Sequence, residues 1–282
     1  MKLVVSVLFL LIFFAFDNVF AEKCSKTPLT IRKDFISNCR DLNLGLIHCL
    51  VAWFAFKGAF SGRDPATVAA EHYQPYFMVL PMQAKEDQSL FWSGTYSIVE
   101  VVSTQPNPAG AVVYSSTNEP SSAIINDLGY GVNWCGVEGG GIDYVNECLC
   151  SVSGNFWERF SIDFAKASRG SAYWLGDGER DGGAFSNSSY FSTVELPNMN
   201  ANEVVAIVVH KKGKGESCSE GSMNVLRSRV MERSIEYDCY DVYGDINQTN
   251  AIAACVSAII SDIQKGTRPK DHEVDCGPSI PA

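Results

Sequence analysis

The sequence predicts a mixed α/β fold, with a mainly helical N-terminal half and a C-terminal half that contains a small, mostly parallel sheet flanked by helices. Helical spacing of apolar residues dominates the first 150 of the 282 residues, whereas strand and helix patterns alternate in the rest. Strands separated by helices pair in parallel, because each helix returns the chain to the end of the sheet at which the previous strand began. We expect two subdomains, 22–150 and 151–282, with a ligand-binding cleft between them.

The first half combines helical spacing with turn signals. Residues 44–60 place apolar side chains one helical turn apart, namely Ile47, Leu50, Val51 and Phe54. Asp64 and Pro65 predict the start of a helix over 66–76, because aspartate caps a helix and proline suits its first position. The stretch 103–123 is rich in turn-forming residues and is predicted to be a loop.

The second half alternates between the two patterns. In order, the predicted elements are a helix over 155–168, strands over 171–178, 190–198 and 203–210, a helix over 223–237, a strand over 236–244 and a helix over 250–265. The run "EVVAIVVH" at 203–210 has six consecutive apolar residues, 204–209, which is typical of a strand that is buried on both faces.

The N-terminus has the composition of a secretory signal peptide. One lysine precedes an apolar run from Leu3 to Phe16, which is shorter than the roughly 20 residues of a membrane span. Val19 and Ala21 are small residues at the positions that precede a cut, so we expect removal of residues 1–21. An uncleaved anchor is the alternative. The C-terminus lacks the apolar tail that a lipid anchor replaces, so we expect no stable membrane anchor.

The cysteines predict disulfide bonds. Ten cysteines follow the leader, at Cys24, Cys39, Cys49, Cys135, Cys148, Cys150, Cys218, Cys239, Cys255 and Cys276. An even number of cysteines behind a signal peptide indicates pairing in an oxidising compartment. Cys148 and Cys150 are also spaced so that they could bind a metal ion, but the chain has only four histidines, and we expect no metal site.

The charge and the sequons favour a secreted protein that does not bind nucleic acid. The formal net charge is −10, and no basic stripe is present. Asn187 and Asn247 each begin an N-glycosylation sequon, which suits an exposed surface outside the cell. We therefore expect a glycoprotein that is secreted or held in the lumen of secretory granules.

Several residues are candidates for chemistry, each with a plain structural alternative. Glu195 lies in the predicted strand 190–198, on the side of Phe191 and Thr193, where a glutamate is usually solvated. Trp92 precedes Ser93 and Gly94, whose backbone amides can approach an anion closely. A buried tryptophan before a turn is the alternative.

A second pair of candidates lies on the helix 155–168. Trp157 and Ser161 are four residues apart and share one helix face. Core packing explains the same spacing. His210 ends a predicted strand, and we interpret it as structural.

The order of these segments is more informative than any one of them. "LFWSGTY", "NWCG", "NFWERFSIDFAKA" and "SYFSTVELPN", followed by an apolar strand that ends in histidine, resemble the ADP-ribosyl cyclase family. These are secreted or cell-surface enzymes that consume NAD. The resemblance extends from about Cys39 to Cys276.

The resemblance implies a role for each candidate. Glu195 takes the place of the catalytic glutamate, and Trp92 and Trp157 match the two tryptophans that wall the nicotinamide pocket. The other matched positions are Ser161 beside the reacting ribose, Ser93, Gly94 and the Phe191 backbone at the diphosphate, and Tyr190 at an aromatic position of the molluscan cyclase. That enzyme shares Gly94, where the mammalian enzyme has arginine, so backbone amides are expected to hold the diphosphate.

The acid that recognises nicotinamide has no clean match. The family carries it in a T-L-E-D motif, and the corresponding text here is Thr117-Asn118-Glu119-Pro120. This segment is two residues further from the Trp-Cys-Gly motif than the family spacing. Glu119 is the candidate, and Ser121 takes the position if the spacing is kept without an insertion.

The resemblance also implies five disulfide bonds. In the family's order they are Cys24–Cys39, Cys49–Cys150, Cys135–Cys148, Cys218–Cys239 and Cys255–Cys276.

The implied activity is cleavage of the nicotinamide–ribose bond of NAD, with formation of cyclic ADP-ribose, ADP-ribose or both, which are calcium-mobilising messengers. NAD or NADP is the substrate, nicotinamide is a further ligand, base exchange on NADP is implied, and no cofactor is required. The alternative is a secreted nucleotide-binding protein of the same fold without activity. The sequence leaves open the product ratio and whether the protein forms a homodimer.

Overall fold

The computed structural model describes residues 25–26, 28–104, 110–126, 128, 133–136, 142–145, 152–211 and 213–276. The chain divides into a first unit, Met1–Leu80 with Ile124–Arg159, and a second unit, Pro81–Ala123 with Phe160–Ala282. The units interleave along the sequence, since residues 81–123 group with the C-terminal part. The simpler division at residue 150 stays a prediction.

The elements confirm the mixed α/β class. The strands are β1 (Ser25–Lys26), β2 (Leu90–Ser93), β3 (Asn133–Gly136), β4 (Ile142–Val145), β5 (Ser171–Asp177), β6 (Glu203–His210), β7 (Glu236–Tyr243) and β8 (Glu273–Asp275). The α-helices are α1 (Pro28–Asp41), α2 (Leu46–Gly58), α3 (Gln74–Val79), α4 (Tyr96–Thr104), α5 (Pro120–Asn126), α6 (Val152–Ala167), α7 (Leu196–Asn198), α8 (Gly221–Glu232) and α9 (Thr249–Gln264).

A five-stranded sheet forms the centre of the second unit. Its order is β2-β5-β6-β7-β8, and every neighbouring pair is parallel. The prediction for β6 is confirmed, because all eight of its residues are buried. Ile98 and Val102 of α4 and Val256 of α9 join one apolar cluster with Val205 and Ile207 of β6. These two helices therefore cover one face of the sheet.

The first unit has a small antiparallel sheet and an aromatic core. The sheet order is β1-β4-β3, which the sequence did not indicate. The predicted helix α2 is confirmed, but the apolar residues that predicted it are not its buried face: Ile47 and Phe54 are exposed. Trp53 and Phe56 are buried instead and pack against Phe35, with ring centroids 5.4 and 5.6 Å away. Aromatic packing between helices decides which side of α2 faces inward.

Two predicted segments differ from the structure. Residues 66–76 do not form one helix, because the chain makes 3₁₀ turns at Pro65–Thr67 and Ala70–Tyr73 before α3 begins. Asp64 still caps the first turn, since its Oδ1 accepts a hydrogen bond from the Ala66 amide at 2.9 Å. The predicted loop 103–123 is too long at both ends, because α4 extends to Thr104 and Pro120 opens α5, a position that proline favours.

Two of the predicted disulfide bonds are confirmed and two are wrong. Cys218–Cys239 and Cys255–Cys276 are present. Cys39 is bonded to Cys49, which excludes Cys24–Cys39 and Cys49–Cys150. The turn between α1 and α2 brings the two Cα atoms to 5.7 Å, a usual distance for a disulfide. Cys24, Cys148, Cys150 and the side chain of Cys135 lie outside the described residues, and so does the predicted Cys135–Cys148 bond.

The Cys39–Cys49 bond can be tested directly. Trypsin cuts after Lys33, Arg40 and Lys57, so digestion without reducing agent should yield residues 34–40 linked to residues 41–57. Mass spectrometry should detect this pair, and reduction should separate it. Detection of residues 34–40 linked to residues 24–26 would instead support the pairing that the family resemblance implies.

Candidate active site

Glu195 is held in a half-buried position by a hydrogen bond. Ser161, which is buried on α6, donates its Oγ hydrogen to Glu195 Oε1 at 2.9 Å. Burial raises the pKa of the Glu195 carboxyl to about 7, and the Ser161 hydrogen bond acts in the opposite direction. The carboxyl group therefore changes charge close to neutral pH. Both residues are candidates from the sequence, and the structure brings them together.

The segment around Glu195 is helical, so the predicted strand 190–198 is wrong. Residues Phe191–Glu195 form a π-helical turn that continues into α7, and the Leu196 amide donates to the Phe191 carbonyl. Thr193 is exposed, whereas Phe191 is buried, so the two do not share a side with Glu195 as a strand would require. Short π-helical turns are frequent at functional sites.

The π-helical turn is fixed from both sides. Phe191 packs against Phe91 and Trp174 of the sheet, at centroid distances of 5.6 and 5.9 Å. From α8, Arg229 donates to Ser192 Oγ at 2.6 Å. Arg233, at the end of α8, donates to the Met199 carbonyl at 2.9 Å. These arginine contacts, which the sequence did not indicate, set the position of the segment that carries Glu195.

Trp92 lies near the carboxyl end of β2. Its indole N–H donates to Ser116 Oγ at 3.1 Å, and its ring meets Tyr96 edge to face at 5.5 Å. Ser93 ends the strand and is buried, and Gly94 follows with a φ of +78°, which favours glycine. Open α/β sheets bind ligands beyond the carboxyl ends of their strands, so Trp92, Ser93 and Gly94 occupy a typical place for a site.

Glu119 is fully buried in the turn that also anchors Trp92. Its carboxylate accepts hydrogen bonds from the Gln83 amide at 3.0 Å and the Ala84 amide at 2.8 Å. Burial raises its pKa to about 7, while the two amides lower it. Ser121, the alternative, is also buried, and its hydroxyl lies 3.8 Å from the Met82 sulfur. The assignment of Glu119 stays a prediction.

The remaining candidates are all at least partly exposed. Trp157 is half-buried on α6, one turn before Ser161, and meets Phe156 edge to face at 5.1 Å. Trp157 belongs to the first unit and Trp92 to the second, and a nicotinamide pocket that contains both stays a prediction. Tyr190 opens the π-helical turn and is 48% exposed. Asn187 and Asn247 are exposed, as glycosylation requires.

His210 has a structural environment. The ring is buried, with Nε2 3.0 Å from an Asp241 oxygen and Nδ1 3.0 Å from the Lys214 carbonyl. The hydrogen bond to Asp241 raises the pKa of His210. Both ring nitrogens therefore face acceptors, and an imidazolium ion satisfies both.

The part of the chain that the structure describes has neither a cluster of metal-binding side chains nor a helix suited to a membrane. Within this part of the chain, His, Cys, Asp and Glu side chains form no group of three or more that could bind a metal ion. In the same residues, no helix combines the length and the apolar character that a membrane span needs.

The chain is similar in sequence and in fold to known ADP-ribosyl cyclases. The chain is 26% identical over 239 residues to human ADP-ribosyl cyclase/cyclic ADP-ribose hydrolase 2, covering 77% of this chain and 71% of the human protein. It is 26% identical over 242 residues to ADP-ribosyl cyclase/cyclic ADP-ribose hydrolase of Aplysia californica, covering 80% and 79%. A crystal structure of Aplysia cyclase with the substrate NGD and the product cGDPR superposes with a TM-score of 0.65 at 21% identity, covering 87% of this chain and 98% of the other.

The family model confirms the resemblance found in the motifs. The model described as ADP-ribosyl cyclase matches residues 15–259, which is most of the chain. That range includes Trp92, Trp157 and Glu195. The chain therefore belongs to the ADP-ribosyl cyclase family.

Proposed function

We propose that this protein cleaves the bond between nicotinamide and ribose in NAD, and releases cyclic ADP-ribose, ADP-ribose or both. The observation that carries the proposal is the half-buried Glu195, which accepts a hydrogen bond from Ser161 and whose pKa burial raises to about 7. Family membership and the names of the human and Aplysia relatives support the same reaction.

A single carboxylate suits this reaction. Nicotinamide is bound to ribose as a pyridinium cation, so it departs as a neutral molecule and needs no general acid, unlike the leaving group of most glycosidases. The transition state carries positive charge on the ribose. An ionised Glu195 stabilises that charge, and the low dielectric of a half-buried site strengthens the attraction. Ser161 keeps the carboxylate in place, so little reorganisation is needed during the reaction.

The other candidates bind the substrate in this proposal. Trp92 and Trp157 stack on the nicotinamide ring, and a cation above an indole face gains roughly 0.5–2 kcal/mol. Glu119 recognises nicotinamide, while Ser93, Gly94 and the Phe191 backbone hold the diphosphate. Attack by an adenine nitrogen then gives cyclic ADP-ribose, attack by water gives ADP-ribose, and attack by another base gives exchange on NADP. Tyr190 favours cyclisation by holding adenine in the folded pose.

We also propose that the protein acts outside the cell or in secretory granules. Residues 1–21, which lie outside the described part, are removed as a signal peptide, and glycans attach at Asn187 and Asn247. A homodimer is compatible with this location. Mass spectrometry of the secreted protein tests both the cut and the glycans.

Substitution of Glu195 tests the reaction. Glu195→Gln keeps the shape and removes the charge, so turnover of NAD should fall by about a hundredfold to a thousandfold. Nicotinamide, cyclic ADP-ribose and ADP-ribose are separated by chromatography after incubation with NAD. The matched control is Glu232→Gln, at the exposed end of α8, which should keep wild-type turnover. If the wild type releases no nicotinamide but binds NAD, the protein is the inactive nucleotide-binding alternative.

The raised pKa of Glu195 predicts how stability depends on pH. Folding raises this pKa from about 4.5 to about 7, so the ionised carboxylate destabilises the folded state above pH 7, by up to about 3 kcal/mol. The destabilisation disappears below pH 4.5, where the group is protonated in both states. Glu195→Gln should therefore melt at a higher temperature than the wild type at pH 8, and the difference should shrink as the pH falls to 5. A difference that does not change with pH, measured by calorimetry, would contradict the raised pKa.

Tyr190 tests the choice between products. Tyr190→Thr removes the ring that holds adenine, so the ratio of cyclic to linear product should fall, while Tyr190→Phe should preserve it. Because Tyr190 is half-exposed, neither change should alter the melting temperature much. An unchanged ratio in Tyr190→Thr would show that Tyr190 does not control cyclisation.

A further inference from the structure

Arg180 brings a cation to the segment that is proposed to hold the diphosphate. Its Nη1 donates to Ser93 Oγ at 2.8 Å. Ser93 ends β2, and Arg180 lies in the loop after β5, the neighbouring strand, in which Gly176 pairs with Ser93. Both residues are therefore at the carboxyl edge of the sheet. Ser93 is buried, whereas Arg180 is exposed and accessible to a ligand.

The backbone at Gly94 leaves room for this arginine. A Cβ atom on Gly94 would lie 3.3 Å from the Asp177 Cβ and 3.9 Å from the Arg180 Cδ. The glycine thus allows the loop after β5 to approach the end of β2 closely. The Arg180 side chain runs beside the Gly94 backbone.

The charges of the loop make this cation important. Asp177 ends β5, and Glu179 and Asp181 flank Arg180 in the loop, so three carboxylates lie close to Arg180 in the sequence. Lys211 offsets Glu179, with its ammonium 3.8 Å from the carboxylate and its amide donating at 2.9 Å. An anionic ligand that approaches Ser93 and Gly94 would be repelled by Asp177, whose Oδ2 lies 3.9 Å from the position of a Cβ on Gly94, unless Arg180 attracts it.

We infer that Arg180 binds the diphosphate of the nucleotide substrate, with Ser93 orienting its guanidinium group. This inference rests on the proposed function and changes one part of it, since a cation joins the backbone amides. The Ser93 bond uses one of five guanidinium N–H donors, and the planar fork of the group matches two phosphate oxygens. Arg180 is thus a substrate-binding residue that acts away from the bond that breaks.

Two substrates separate this role from a structural one. NAD and nicotinamide riboside share the bond that is cleaved, but only NAD has phosphates. In Arg180→Gln, kcat/KM for NAD should fall about tenfold to a hundredfold, mainly through KM, because a charge-assisted hydrogen bond is lost. The value for nicotinamide riboside should change less than about twofold. Arg180→Lys should recover part of the loss, because the positive charge remains.

The matched control is Arg227→Gln. Arg227 is an exposed arginine of α8 that lines a groove with Glu236 and Tyr237, the first residues of β7, at the amino edge of the sheet. This variant should behave as the wild type with both substrates. If Arg180→Gln lowers kcat/KM equally for NAD and nicotinamide riboside, Arg180 has only a structural role in the loop after β5. If Arg180→Gln leaves kcat/KM for NAD unchanged, Arg180 does not bind the diphosphate.

Calorimetric titration with ADP-ribose tests Arg180 without turnover. Arg180→Gln should weaken binding of ADP-ribose at least about tenfold and leave binding of nicotinamide unchanged. If the wild type binds ADP-ribose more tightly than Arg180→Gln but cleaves no NAD, the proposed reaction is wrong and the inference about Arg180 is supported. If wild type and variant bind ADP-ribose equally, the inference about Arg180 is wrong, whether or not NAD is cleaved.

Discussion

The hydrogen bond from Ser161 to Glu195 is the interaction on which the site depends. A carboxylate at this depth is disfavoured by the loss of water, and the pKa near 7 shows that one hydroxyl only partly offsets that loss. The protein therefore keeps an unfavourable charge in place, which is characteristic of functional groups and uncommon for purely structural ones. Ser161 also fixes the orientation of the carboxylate, and a fixed charge stabilises a transition state better than a mobile one.

The sheet explains why this charge can be held. β6 is buried along its whole length, and the strands beside it pair in parallel, which makes a rigid base. Phe191 packs against Trp174 of this sheet, and Arg229 of α8 donates a hydrogen bond to Ser192 in the same turn. The π-helical turn at Glu195 thus has apolar packing on one side and charge-assisted hydrogen bonds on another. Its backbone conformation is set by these tertiary contacts more than by local propensity.

That dependence on tertiary contacts shows how far the sequence could predict the structure. β6 was predictable because six consecutive apolar residues, 204–209, favour burial on both faces, and α6 because its apolar residues repeat with the helical period. The segment 190–198 was not, since a short run of aromatic and β-branched residues has the same composition in a strand and in a helical turn. The Cys39–Cys49 pairing depends on how α1 and α2 meet, which composition does not encode.

The Glu119 and Glu195 carboxyl groups have similarly raised pKa values but differ in exposure and in what they can do. Glu119 is fully buried and already accepts hydrogen bonds from the Gln83 and Ala84 amides, so neither of its carboxylate oxygens is exposed to nicotinamide in this arrangement. Contact with nicotinamide therefore requires the chain that covers Glu119 to move, even though a carboxylate can accept more hydrogen bonds than these two amides donate. Glu195 is half-buried, and its described bond is to a hydroxyl that can also accept a hydrogen bond from the ribose. Glu195 can therefore meet a cationic sugar without losing its support, which makes it the better placed of the two to stabilise the transition state.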